Sequence, residues 1–158
     1  MSRKLVAYFS ASGVTAKLAE QLSEAIGADL HEIRAKEQYS QADLDWRNDK
    51  SRSSIEMKNK TFRPEIVDDK ISISEYDTVF VGFPIWWGRE PSVVDTFLTA
   101  YDFKGKNIIP FCTSGGSEMG NMTQRIFELT GAKVNEGKRL GGSVSEEDLK
   151  IWTEGLRL

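Results

Sequence analysis

Short apolar runs alternate along this chain with helical stripes, and that alternation limits the fold more than any other feature. A strand shows as a brief apolar or period-two run, whereas a helix repeats apolar residues three and four apart. Lys4 to Phe9 (KLVAYF) reads as a buried strand. Leu18, Ala19, Leu22, Ala25 and Ile26 then share one helical face, with Gly27 placed as its C-terminal cap. Ala28 to Arg34 alternates as a strand with one less-buried side, and Thr78 to Phe83 (TVFVGF) is a second strongly buried strand. Pro91 suits the first turn of a helix carrying Val93, Val94, Phe97, Leu98 and Tyr101. Asn107 to Cys112 (NIIPFC) is strand-like, and Met122, Ile126 and Leu129 mark a helix ending at Gly131. Lys133 to Gly141 is polar enough for an edge strand, and Ser145 to Asp148 resembles a capping box ahead of Leu149, Trp152 and Leu156.

Strands that alternate with helices must pair in parallel, because parallel neighbours need crossover connections. The expectation is an α/β fold with helices on both faces of one sheet, forming a single domain over residues 1–158. Pro110 removes a ladder donor within an internal strand, so irregular or late pairing is expected there. Residues 35–74 form an irregular insertion, dense in charge of both signs and carrying Tyr39, Trp46 and Phe62. Its middle, Asp43 to Trp46, has the makings of a short helix. Two readings of the insertion stand: a solvated excursion that packs a few aromatics on the domain, or a cover for a ligand or partner.

Composition removes several function classes. No apolar run reaches the roughly 18 residues of a bilayer span, and Met1 to Lys4 leads straight into the first strand without the apolar stretch of a signal peptide. With 21 Lys and Arg against 24 Asp and Glu, the net charge of −3 is no footprint for nucleic acid. One cysteine, Cys112, and one histidine, His31, exclude an intrachain disulfide and argue against a zinc site. A reduced, cytoplasmic protein with no bound metal is expected.

In a doubly wound sheet, ligands bind outside the carboxyl ends of the strands. Three loops there share an unusual character. Ser10-Ala11-Ser12-Gly13-Val14-Thr15 opens straight into the first helix and offers three hydroxyls beside free amides. It has no Lys or Arg and matches neither phosphate-binding glycine fingerprint, so it suits a terminal phosphate monoester rather than a triphosphate or pyrophosphate. Helix capping would need one of these hydroxyls rather than three. Pro84-Ile85-Trp86-Trp87-Gly88 places two tryptophans at the ligand edge, where a planar ring is a natural partner; one packed inward and one facing a ligand is also consistent. Thr113-Ser114-Gly115-Gly116-Ser117-Glu118-Met119-Gly120 lets main chain lie against a flat ligand, although an ordinary surface loop explains it equally well. Together the loops describe a flat heterocycle with a phosphate tail.

With these three loops in this order the chain resembles the flavodoxin family, in particular its compact members with an extended segment between the second and third strands. The resemblance implies a three-layer α/β/α fold, a five-stranded parallel sheet of order 2-1-3-4-5, and non-covalent FMN. It assigns Ser10, Ser12, Val14 and Thr15 to the phosphate, with Gly13 shaping the turn. Pro84, Ile85, Trp86, Trp87 and Gly88 would flank the isoalloxazine, and Thr113, Ser114, Gly115 and Gly116, in the loop that ends at Gly120, would line its pyrimidine side. Gly88 is the candidate for the backbone carbonyl that turns toward the flavin N5 in this family. Two departures stand out: Val14 replaces the usual Asn, and the third loop lacks the tyrosine that many flavodoxins stack on the outer flavin face.

The resemblance implies an electron-transfer protein that meets a redox partner protein or a small-molecule acceptor, with no catalytic residue assigned. The alternative is an NAD(P)H-dependent quinone reductase, arranged as a homodimer with an open flavin face. A phosphoacceptor receiver domain fails, because the first strand ends in Ser10 where a receiver needs acidic residues.

Overall fold

The computed structural model describes residues 3–11, 13–59, 61–67, 71–86, 89–113, 122–140 and 144–156. Its elements are β1 (Lys4–Tyr8), α1 (Val14–Ile26), β2 (Asp29–Glu32), α2 (Arg52–Lys58), β3 (Thr78–Pro84), α3 (Ser92–Ala100), β4 (Asn107–Thr113), α4 (Met122–Thr130), β5 (Lys133–Val134), β6 (Lys138–Arg139) and α5 (Glu146–Gly155), with a 3-10 turn at Ile73–Glu75. The sheet is parallel throughout, in the order β2-β1-β3-β4-β5, and β6 also pairs with β4. This is the flavodoxin-like α/β arrangement.

Alternation along each strand divides the core in two. Leu5, Ala7, Val79, Val81, Phe83, Ile108 and Cys112 face one side, where Val93, Val94, Phe97 and Leu98 of α3 and Met122 and Ile126 of α4 close over them. Val6, Tyr8, Phe80, Ile109 and Phe111 face the other side, under Leu18, Ala19 and Leu22 of α1 and Leu149 of α5. The period of two thus sends neighbouring residues of one strand into opposite layers. Cys112 belongs to the first layer, and burial pushes its thiol up to about 12, so it packs as a small hydrophobe.

Pro110 does not delay pairing, since β4 runs in register with β3 over its whole length and Pro110 sits opposite Val81. The reason lies on the other side of β4. Carbonyls of Ile108 and Cys112 accept from Asn135 (2.9 Å) and Leu140 (2.8 Å), so Pro110, on the same side by alternation, faces the break between β5 and β6. Its missing donor falls where no ladder bond is required. The edge strand expected over Lys133 to Gly141 is accordingly split into two short pieces. The capping box is present at α5: the Ser145 Oγ accepts from the Asp148 N–H (3.1 Å), and Asp148 Oδ2 accepts from the Ser145 N–H (3.2 Å). Those bonds, the one from the Ser145 amide first, hold the Asp148 carboxyl below its usual range.

The insertion is tied at its neck and has its own helix. Lys36 N–H donates to the Glu65 carbonyl (2.9 Å) and Val67 N–H to the Arg34 carbonyl (2.8 Å), closing an antiparallel bridge between Ala35 and Ile66. The helix is α2, capped by the Ser51 hydroxyl, whereas the segment expected to be helical, Asp43 to Trp46, forms turns. The buried residues of α2 are Ser53, Ser54, Glu56 and Met57, while Ile55 is exposed. A helix that buries serines and a glutamate leaves no apolar stripe for sequence periodicity to find.

Candidate functional site

The carboxyl ends of β1, β3 and β4 converge through backbone bonds. Phe9 N–H donates to the Gly82 carbonyl (2.9 Å), and Ile85 N–H donates to the Thr113 carbonyl (3.1 Å). Beyond β1 the chain turns at Gly13, whose φ of 91° lies in the left-handed region that favours glycine. Gly13 N–H donates to Ser10 Oγ (3.0 Å), and α1 then begins without a side-chain cap or an acidic residue in its first turn. Such a helix start presents amides and the positive end of the dipole to an anion. Val14 is about half exposed at this point, whereas Thr15 is buried and its Oγ1 lies 2.8 Å from Thr113 Oγ1. The Thr15 hydroxyl therefore joins the first loop to the third, a link that sequence spacing does not disclose.

Trp86 is a tryptophan packed against the domain. Its ring meets Phe9 edge-on at 5.6 Å and Tyr39 edge-on at 5.6 Å, and Tyr39 also meets Phe9 at 5.7 Å. Tyr39 comes from the insertion, so that segment reaches the strand ends. The Tyr39 hydroxyl donates to Glu56 of α2, and the Arg52 guanidinium lies 4.0 Å from the Tyr39 ring centre while donating to Glu56 Oε2 (2.8 Å). Burial first, and then the bond to Glu56, push the Tyr39 phenol far above its usual range, so it remains a donor. Beside this cluster a cavity of about 200 Å³ is lined by Phe9, Ser10, Arg34, Gln38 and Tyr39. A larger cavity of about 570 Å³ lies between α1 and α5, lined by Lys4, Phe80 and Lys150, away from the three loops. Topology rather than volume locates the ligand crevice in a sheet of this kind.

The structure thus brings together Ser10, Gly13, Val14, Thr15, Pro84, Ile85, Trp86 and Thr113 at one rim. Ser12, Trp87, Gly88, Ser114, Gly115, Gly116 and Gly120 lie outside the described residues.

Trp86 and Arg89 exchange backbone bonds: Trp86 N–H donates to the Arg89 carbonyl (3.0 Å), and Arg89 N–H to the Trp86 carbonyl (3.1 Å). The Arg89 side chain ties this bridge to its surroundings. Its guanidinium donates to the carbonyls of Met57 (2.9 Å) and Glu90 (3.2 Å) and lies 3.5 Å from Asp95 Oδ2. Arg125 of α4 completes the network, donating from Nε to Glu90 Oε1 (2.9 Å) and from Nη2 to Asp95 Oδ2 (3.1 Å). Glu90 and Asp95 are fully buried. Burial first, and then the facing Glu90, raise the Asp95 carboxyl to about 8. Sequence reading missed this network because its members come from four separate segments; the signal available was the Arg89-Glu90 pair set between a glycine and a helix-starting proline.

A flavodoxin family model matches residues 3–156. The chain belongs to the flavodoxin family. No curated protein matches the chain. Among solved structures, a protein of Bacteroides eggerthii is 42% identical, covers 100% of this chain and 99% of its own, and superposes with a TM-score of 0.93. A Lactobacillus acidophilus flavoprotein in complex with FMN is 26% identical over 97% of this chain and 99% of its own, with a TM-score of 0.73. Flavodoxin 2 from Bacillus cereus, 16% identical over 99% of this chain and 98% of its own, shares the fold at a TM-score of 0.60. No helix among the described residues is long and apolar enough to cross a membrane.

Proposed function

We propose that this flavodoxin-family chain binds FMN without a covalent bond at the ends of β1, β3 and β4 and transfers electrons through it. The observation that carries this reading is the similarity, over nearly the whole of both chains, to a flavoprotein in complex with FMN. The donor set supports it. An uncapped helix start without acidic neighbours, a left-handed Gly13 and the hydroxyls of Ser10 and Thr15 suit a phosphate monoester. In this reading Ser10, Ser12, Gly13, Val14 and Thr15 hold the phosphate. Pro84, Ile85, Trp86, Trp87 and Gly88 flank the ring, and Thr113, Ser114, Gly115, Gly116 and Gly120 border its polar edge. FMN supplies one- and two-electron chemistry, while the protein supplies binding, orientation and exclusion of water. Trp86, held by Phe9 and Tyr39, gives the rim a rigid aromatic wall.

The electrons pass to a redox protein or to a small acceptor. A quinone reductase using NAD(P)H is the second reading, supported by the modest net charge of −3 and by the cavity beside Ser10. Steady NADPH oxidation with a quinone by the FMN-loaded protein would select the enzyme; its absence, with two resolved one-electron potentials, would select the carrier.

FMN added to the cofactor-free protein should lose fluorescence on binding, and unchanged fluorescence at high protein concentration would sink the reading. Thr15→Val should weaken FMN about tenfold, through loss of a hydroxyl near a charged phosphate, while weakening riboflavin less. Equal losses for the two ligands would assign Thr15 to the Thr113 link alone.

A further inference from the structure

The buried acids Glu90 and Asp95 are not among the residues assigned above to the phosphate or the ring. Arg125 occupies one oxygen of each carboxyl, Glu90 Oε1 and Asp95 Oδ2. The remaining oxygens, Glu90 Oε2 and Asp95 Oδ1, are buried without a hydrogen-bond partner among the described residues. The two carboxyls share one guanidinium, that of Arg125, at 2.9 Å from Glu90 and 3.1 Å from Asp95, which brings them side by side. Two ionised carboxylates side by side, out of water, repel strongly, whereas one proton held between them relieves that repulsion. Among the described residues, the charged groups facing the pair are Arg89 before α3, Arg125 on α4, and Arg63 from the insertion, whose Nη1 lies 3.8 Å from Asp95 Oδ2.

We propose that Asp95 is a positioning residue for the cofactor rim: protonated, it donates from Oδ1 to Glu90 Oε2 and keeps the Trp86–Arg89 bridge docked, and its ionisation undocks that bridge. The coupling runs through the backbone. Glu90 follows Arg89 directly, and the Glu90 carbonyl accepts from the Arg89 guanidinium, which also holds the Met57 carbonyl at the end of α2. A Glu90 side chain driven from Asp95 pulls on the residue that pairs with Trp86. The consequence for FMN rests on the function proposed above; the proton and the bridge do not.

The sign follows from linkage. An unfolded aspartate loses its proton near pH 4, and the folded protein keeps the one on Asp95 to about 8. Folding therefore takes up one proton in that window, and this group's contribution to stability falls as pH rises through it, by up to tenfold in the unfolding constant per unit.

The test uses the cofactor-free protein labelled with 13C at its carboxyls and 15N at its amides. The Asp95 carboxyl should titrate near 8 and the Arg89 amide should move with the same midpoint, both changes being absent from Asp95→Asn. Titration of Asp95 in the ordinary carboxylate range, or an Arg89 amide that ignores it, overturns the proposal. FMN affinity, read by fluorescence quenching, should fall above about pH 8 by up to tenfold per unit in the wild type and stay level in Asp95→Asn. Glu90→Gln, whose amide can donate where the proton lay, serves if Asp95→Asn does not fold, and should also give a level profile. Parallel profiles in wild type and variant overturn the coupling to the rim. Failure of FMN to bind at about pH 6 sinks the proposed function instead, and the two resonances still decide the proposal.

Discussion

Arg125→Met should destabilise the cofactor-free protein by about 3–5 kcal/mol at about pH 8, read from urea unfolding. Arg125 is the close partner of both buried acids, at 2.9 Å from Glu90 and 3.1 Å from Asp95. Arg89 and Arg63 stand farther from Asp95, at 3.5 and 3.8 Å, and Arg89 also serves the Met57 and Glu90 carbonyls. Methionine preserves much of the volume, so the loss reports charge left unpaired in a buried site rather than a cavity. The deficit should shrink toward about pH 5, where Asp95 fully holds its proton and adds no charge to the site. A loss below about 1 kcal/mol at both pH values would mean that Arg89 and Arg63 already neutralise the pair.

Gly82→Ala should cost about 2–3 kcal/mol, because its new methyl group has nowhere to go. A Cβ at residue 82 would stand 2.2 Å from Phe111 Cζ and 2.4 Å from Cε2. Phe111 is fully buried and lies directly across the ladder from Gly82. The ring cannot slide aside as a flexible chain end would, so β3 or β4 must shift. Replacing a strand glycine with alanine would otherwise gain about 0.5–1 kcal/mol, so the clash has to exceed that gain. Adding Phe111→Leu to Gly82→Ala should recover part of the loss, making the pair strongly non-additive. Additive costs in the double variant would show that the ring does not press on residue 82. Since Gly82 accepts from Phe9 N–H and stands two residues before Pro84, the single variant should also weaken FMN binding.

Much of the frame was legible because burial writes itself into apolar period. KLVAYF, TVFVGF and NIIPFC each declare a strand. Gly27, Gly131 and the Ser145–Asp148 box mark helix ends by local chemistry that needs no tertiary context. The insertion was illegible for the converse reason. Its helix, α2, buries Ser53, Ser54 and Glu56 and exposes Ile55, so its inward face is defined by hydrogen bonds rather than by hydrophobicity. Pro110 gave a true warning with the wrong consequence, because the gap in the ladder is in the neighbouring edge and not in β4.

What the sequence determined by itself is the order of strands and helices outside the insertion and the polar, glycine-containing composition of the loops that follow the strands, since both follow from local period and backbone preference. Tertiary structure alone decided three things: that Thr15 meets Thr113, that Tyr39 reaches Trp86, and that Arg89, Glu90, Asp95 and Arg125 share one buried site. Each joins residues far apart in the chain through polar or edge-on aromatic contacts. Such contacts have no sequence period, and their strength comes from exclusion of water, which exists only once the layers have closed.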